Sequence, residues 1–176
     1  INLRIEHASN DTYLKGNRLT SQIINNYDLL ETSIGLDLNS ENLQIETDFI
    51  TYNNLNINNN SDKFEYILPR INLTKKIENN TKLDGSFVFN TKNYVHNYQT
   101  NIWEKVNVNN LTFSSESKTT KKGFYNNYEF LIRNSNSDTK NSDKFKKGEN
   151  FYLSGLFQFN SSLPLVKTND YLQKIF

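Results

Sequence analysis

Apolar residues in this chain recur at every second position, in runs set apart by polar stretches. Successive side chains of a β-strand point to opposite faces, so such runs predict strands with one apolar face and one wet face. The clearest pair lies between Phe64 and Phe89. Ile67, Pro69, Ile71 and Leu73 alternate with Tyr66, Arg70, Asn72 and Thr74, and then Leu83, Gly85, Phe87 and Phe89 alternate with Asp84, Ser86 and Asn90. Glu78-Asn79-Asn80-Thr81 between them is turn chemistry, because Asn tolerates positive φ and bonds its own backbone.

The rest of the chain repeats this hairpin. Ile1, Leu3 and Ile5 begin it, and residues 9–30 are polar and irregular, with a short extra strand expected at Leu19–Asn26. Thr32–Asn39 carries Ile34, Leu36 and Leu38 on one face; Leu43–Tyr52 sets Leu43, Ile45 and Phe49 against Gln44, Glu46 and Asp48. In Glu104–Ser117 the pair Val106 and Val108 is out of phase with Leu111 and Phe113, which predicts a β-bulge near Asn109-Asn110. Phe124–Arg133 sets Tyr128, Phe130 and Ile132 against Asn127, Glu129 and Arg133, and Phe151–Asn160 aligns Phe151, Leu153, Gly155, Phe157 and Phe159. Short turns are expected at 40–42, 78–81 and 118–122, and long loops at 9–30, 53–63, 92–102 and 134–150. Outer-membrane barrels sort their connections in this way, and their tilted strands need roughly nine or more residues to cross.

Composition points the same way. Only 35% of residues are hydrophobic and the mean hydropathy is −0.73, below what a packed soluble domain carries. A net charge of +1 and 13% aromatic residues argue against disorder. A barrel with lipid outside and water inside requires half-apolar strands and no solid core. The expected fold is therefore all-β: an antiparallel up-and-down meander of about eight strands over residues 1–176, an incomplete segment of a large outer-membrane barrel. Ile45, Ile71, Phe87, Phe89, Phe157 and Phe159 are expected to face lipid in a band at mid-height, and Glu46, Arg70, Asp84 and Glu129 to face the lumen. A charge in lipid costs free energy that the same charge in a wet lumen does not. The near-zero net charge offers no basic footprint for nucleic acid. The chain has no Cys for a disulfide or thiolate metal site, and no apolar run long enough for a membrane helix. It opens on Ile1 within an alternating run, so it is expected to be an internal stretch of a longer protein.

Four stretches carry a family resemblance: Ser9-Asn10-Asp11-Thr12-Tyr13-Leu14, Leu19-Thr20-Ser21, Tyr66-Ile67-Leu68-Pro69-Arg70-Ile71, and Ser162-Leu163-Pro164-Leu165-Val166-Lys167. In order and spacing the chain resembles the barrel domain of the lipopolysaccharide-assembly outer-membrane protein, the LptD or OstA (organic solvent tolerance) family. Its middle, Tyr98–Ser117 and Tyr128–Asn160, is most similar to alphaproteobacterial versions. The resemblance implies a non-enzymatic role without cofactor in the outer membrane of a Gram-negative bacterium. Such a protein takes lipopolysaccharide from the periplasmic Lpt bridge and places it in the outer leaflet, with an LptE-like lipoprotein as a plug in the barrel. The family's periplasmic jelly-roll domain has no trace here, and the first and last barrel strands, which form the lateral exit, are expected to lie outside this stretch.

Individual residues are weighed against plainer roles. His7 and His96 have no metal-ligand spacing. Glu46, Asp48, Asp84 and Glu129 fit solvated wall positions better than a glycosidase pair. Pro69 and Pro164 mark a bulge or weakened pairing. Lys140, Lys144, Lys146 and Lys147 suit a solubilising loop or contact with lipopolysaccharide phosphates. Tyr52, Trp103, Tyr125 and Tyr152 fall at expected strand ends, where aromatic girdles sit. Another large barrel, such as a porin or receptor, and a soluble β-sandwich binding module are the competing readings. A barrel lipase lacks a visible nucleophile–His–carboxylate set.

Overall fold

The computed structural model describes residues 1–17, 26–58, 62–79 and 82–164. Its elements are β1 (Asn2–Arg4), α1 (Tyr13–Asn17), β2 (Leu29–Asn39), β3 (Leu43–Asn54), β4 (Phe64–Ile77), β5 (Gly85–Tyr98), β6 (Ile102–Ser115), β7 (Lys118–Thr119), β8 (Tyr125–Lys140) and β9 (Gly148–Ser162). All strand pairs are antiparallel between successive long strands, in the order β1-β2-β3-β4-β5-β6-β8, with β9 beyond β8. The two-residue β7 pairs with Tyr125 and Asn126, where β8 runs past the end of β6. β1 and β9 do not meet, so the sheet is open. The fold is the all-β up-and-down meander expected, in the arrangement of a segment of barrel wall.

The strands outrun their predicted bounds. β5 extends to Tyr98 and β8 to Lys140, so most of the expected loops 92–102 and 134–150 is paired strand. Consecutive connections do alternate between the two ends of the sheet. Among the described residues, 40–42, 78–79, 82–84 and 116–124 lie at one end, and 55–58, 62–63, 99–101 and 141–147 at the other. Their lengths do not sort by end: 99–101 is as short as 40–42. The expected strand at Leu19–Asn26 lies almost wholly outside the described residues.

Register corrects two more expectations. β6 pairs with β5 and β8 without a shift, so there is no bulge at Asn109-Asn110. The irregularity sits in β4, where Leu68 and Pro69 together oppose Phe49 on one side and Val95 on the other. The Leu68–Pro69 peptide is cis. Pro cannot donate to a ladder, so a register shift is where a mid-sheet Pro fits, as the sequence indicated for Pro69. The extra residue reverses the phase of β4. Ile67 therefore faces with Ile50 and His96, opposite to Ile71 and Leu73.

Leu14, Leu30 and Leu55 form a small buried cluster beneath α1, flanked by Ala8 and Tyr27. Lys63 reaches Asp11 at 2.6 Å, and Lys15 reaches Asp28 at 2.8 Å, pinning this segment to the sheet end. Among the described residues no second sheet covers either face of the first.

Candidate functional site

Residues directly opposed in an antiparallel pair share a face, so the register sorts every strand residue. Ile45, Ile71, Phe87, Phe89, Phe157 and Phe159 fall on one face, with Leu36, Leu38, Leu73, Leu111, Phe113, Phe130 and Ile132. Glu46, Arg70 and Glu129 fall on the other, with Asp37, Asp48 and Arg133. On that charged face Arg70 Nη2 meets Asp48 at 2.8 Å, and Ser114 Oγ donates to Glu129 at 3.3 Å. Asp84 sits just before β5 and pairs with Lys118 at 2.7 Å, so it belongs to the connection at the 82–84 end. The register thus keeps the six apolar residues on the face opposite to Glu46, Arg70 and Glu129, with Asp84 off the strands. Phe87 and Phe89 are the third and fifth residues of β5, toward the end that carries Asp84.

The apolar face is ordered in rows across β5, β6, β8 and β9. One row is Phe87, Phe113, Phe130 and Phe157; the next is Phe89, Leu111, Ile132 and Gly155. Rings touch along this band, with Phe87 and Phe113 centroids 4.7 Å apart and Phe113 and Tyr128 5.7 Å apart. The band is open toward its β9 edge, where Phe157 is 65% exposed, while Phe113 in the same row is buried between its neighbours. The following two rows change character. They read Thr91, Asn109, Asn134, Leu153 and then Asn93, Asn107, Asn136, Phe151.

Those asparagines form one hydrogen-bonded array. Asn107 donates to Asn93 and accepts from Asn109 and, at 3.2 Å, from Asn136. Asn109 also donates to Asn134 at 3.2 Å, Asn136 to Asn134 at 2.8 Å, and Asn93 to Thr91 Oγ1 at 3.1 Å. Ile71 and Leu73 border the array on β4, and Leu153 and Phe151 border it on β9. It is an island of amides in an apolar face. A depression of about 650 Å³ opens over its upper row, between Pro69 and Phe151 and beside Lys105, Asp138 and Glu149. Lys105 is paired with Asp138 at 3.2 Å.

The charged face has its own cluster, at the end carrying 99–101 and 141–147. Glu104 is 1% exposed. Its carboxylate accepts from Tyr98 Oη at 2.9 Å and Ser142 Oγ at 2.6 Å, and lies 3.5 Å from His96 Nδ1. His96 Nε2 is 2.7 Å from Glu65, and the imidazole stacks on Tyr98. Lys144 lies over the Tyr98 ring. Both ring nitrogens face carboxylates, Nδ1 that of Glu104 and Nε2 that of Glu65. Ser142 gives its proton to the carboxylate and not to the imidazole, so the geometry holds the 141–147 loop down and does not set up a nucleophile.

The expected aromatic girdle is not formed by the residues proposed for it. Of the four, Trp103 alone is on the apolar face; Tyr52, Tyr125 and Tyr152 are on the charged one. Trp103 shares the apolar face with Phe64 and Tyr66, which stack at 6.2 Å at the same end of the sheet. Two signals for the asparagine island lie in the chain, obscured by its polarity. Asn107-Val108-Asn109 and Asn134-Ser135-Asn136 each put two amides on one face at strand spacing. Glu104 had no such signal, because its partners come from two sides, Tyr98 and His96 from the preceding strand and Ser142 from 38 residues downstream. Compared with protein-family models, curated proteins and solved structures, the chain matches none.

Proposed function

We propose that this chain is part of the wall of an outer-membrane barrel of the lipopolysaccharide-assembly type. Its apolar face meets lipid and its charged face lines an aqueous lumen. One observation carries the membrane step. A sheet of strands 11 to 16 residues long presents apolar side chains on one face and ion pairs on the other, with no protein layer over either among the described residues. In water such a face would be an exposed patch far larger than monomers carry; in a bilayer it is the required surface. The lipopolysaccharide step rests on the resemblance of the stretches at Ser9, Tyr66 and Ser162. In this reading the lumen takes an LptE-like plug, and the lipid arrives from a periplasmic bridge.

The test is depletion of the intact protein in its own host. The expected result is recovery in the outer-membrane fraction with heat-modifiable gel mobility, and loss of newly made lipopolysaccharide from the cell surface on depletion. Recovery in the soluble fraction would overturn the barrel. Outer-membrane recovery with normal surface lipopolysaccharide would leave a barrel of another kind.

A further inference from the structure

We propose that the asparagine island is a contact site for the saccharide head of a glycolipid lying against the outer wall. The inference rests on the reading of the apolar face as the lipid face. Rows on one face are about 6.6 Å apart along a strand, or about 5 Å in height at a tilt near 40°. On β8 the four steps from Tyr128 to Asn136 rise about 20 Å, so an apolar band of about 25 Å that starts at Tyr128 ends one row above Asn136, at Asp138. The island lies at the upper rim of the band, where acyl chains give way to headgroups.

The chemistry of the rim selects among headgroups. The island is neutral, and its amides supply donors and acceptors side by side, as sugar hydroxyls do. Lys105, the cation among the described residues lining the depression, is already held by Asp138, and Glu149 adds a negative charge there. Such a site disfavours phosphate, which calls for unpaired Arg or Lys. Phe151 and Pro69 wall the depression and offer apolar surface to the C–H face of a sugar ring. Phosphatidylethanolamine and phosphatidylglycerol bring their donors together with a phosphate charge, whereas a sugar ring brings hydroxyls that donate and accept without one.

The experiment places the intact protein in nanodiscs of phosphatidylethanolamine, phosphatidylglycerol and a diglucosyl diacylglycerol. The lipids retained around the protein are counted by native mass spectrometry. The wild type is expected to enrich the glycolipid roughly tenfold over its bulk share, as about 1.4 kcal/mol of net hydrogen bonding gives. Asn107→Leu with Asn136→Leu, which turns the island apolar and suits insertion, is expected to bring the ratio close to parity. Free oligosaccharide is expected not to compete, because the lipid anchor supplies the local concentration. A wild type that inserts without enrichment, or enriches phosphatidylglycerol instead, overturns the proposal and leaves the membrane reading intact. Equal enrichment by the double variant also overturns it. A wild type that does not enter nanodiscs at all refutes the membrane reading on which the proposal stands.

Discussion

Phe157→Arg and Gln158→Arg put the same charge one residue apart in β9 and on opposite faces of the sheet. Phe157 opposes Phe130 on the apolar face, with Tyr128 at 6.4 Å, and is 65% exposed to whatever covers that face. Gln158 opposes Glu129 on the charged face. If lipid covers the apolar face, Phe157→Arg loses part of the ~1.5–3 kcal/mol gained by burying a Phe side chain. It adds the cost of an Arg in the band, about 2–4 kcal/mol at the midplane and less toward the rim. Phe157 lies one row from the end of the band, so the sum comes to about 3 kcal/mol, or on the order of a hundredfold in the inserted fraction. Gln158→Arg places a guanidinium opposite a carboxylate, which contributes roughly 0.2–1 kcal/mol in the favourable direction.

The comparison uses the intact protein, with outer-membrane yield and heat-modifiable mobility as readouts. Phe157→Arg should fall strongly in both and Gln158→Arg should match the wild type. Equal loss for both variants would refute the assignment of faces to solvents. Greater loss for Gln158→Arg would mean that the charged face is the one meeting lipid or a packed partner.

Glu104→Ala leaves Tyr98, Ser142 and His96 without their common partner; trypsin should then cut at Lys144, Lys146 and Lys147 much faster, and an unchanged rate would show that the loop is held by other contacts. Gly85→Ala brings a Cβ to 2.5 Å from the Ser114 carbonyl and 2.7 Å from the Phe113 ring; a loss of about 1–3 kcal/mol from overpacking should appear as a lower unfolding temperature, and an unshifted one would refute the close packing there. Asp28 is held below the usual carboxylate range by hydrogen bonds from Lys15 and Asn56. Its contribution to docking α1 is therefore present above the unfolded carboxylate pKa and lost as pH falls through the folded one; hydrogen exchange in α1 should rise on acidification in the wild type and be flat in Asp28→Asn. On a cysteine-free background, Phe89→Cys should resist a membrane-impermeant maleimide in cells while Lys140→Cys reacts; labelling of both would place the band in water.

The period-two pattern carried the faces because one rule fixes them: opposed residues share a side, and each run had enough apolar members to declare its phase. It failed where polar residues took both sides of a strand. Asn93, Asn97, Asn134 and Asn136 read as loop, since amides favour turns. Here their side chains bond one another or the backbone of a neighbouring turn, and the backbone stays in the ladder. The same blindness misplaced the bulge. The phase change in β6 looked like an inserted residue but is a change of what each face carries: Val106 and Val108 lie on the charged face, with Tyr94 opposite Val106, and Asn107 and Asn109 lie on the apolar one. The insertion at Leu68-Pro69 was signalled by the Pro and not by the periodicity, because Ile67, Pro69, Ile71 and Leu73 alternate perfectly in sequence while the bulge reverses their phase in space. Periodicity therefore reports register only where each face is uniform along its length. This sheet is not uniform: a strand of about 15 residues rises roughly 38 Å at a 40° tilt, against an apolar band of about 25 Å. The surplus is where Lys105, Asp138, Trp103 and Lys140 stand on the otherwise apolar face, and the strands run on through it unbroken.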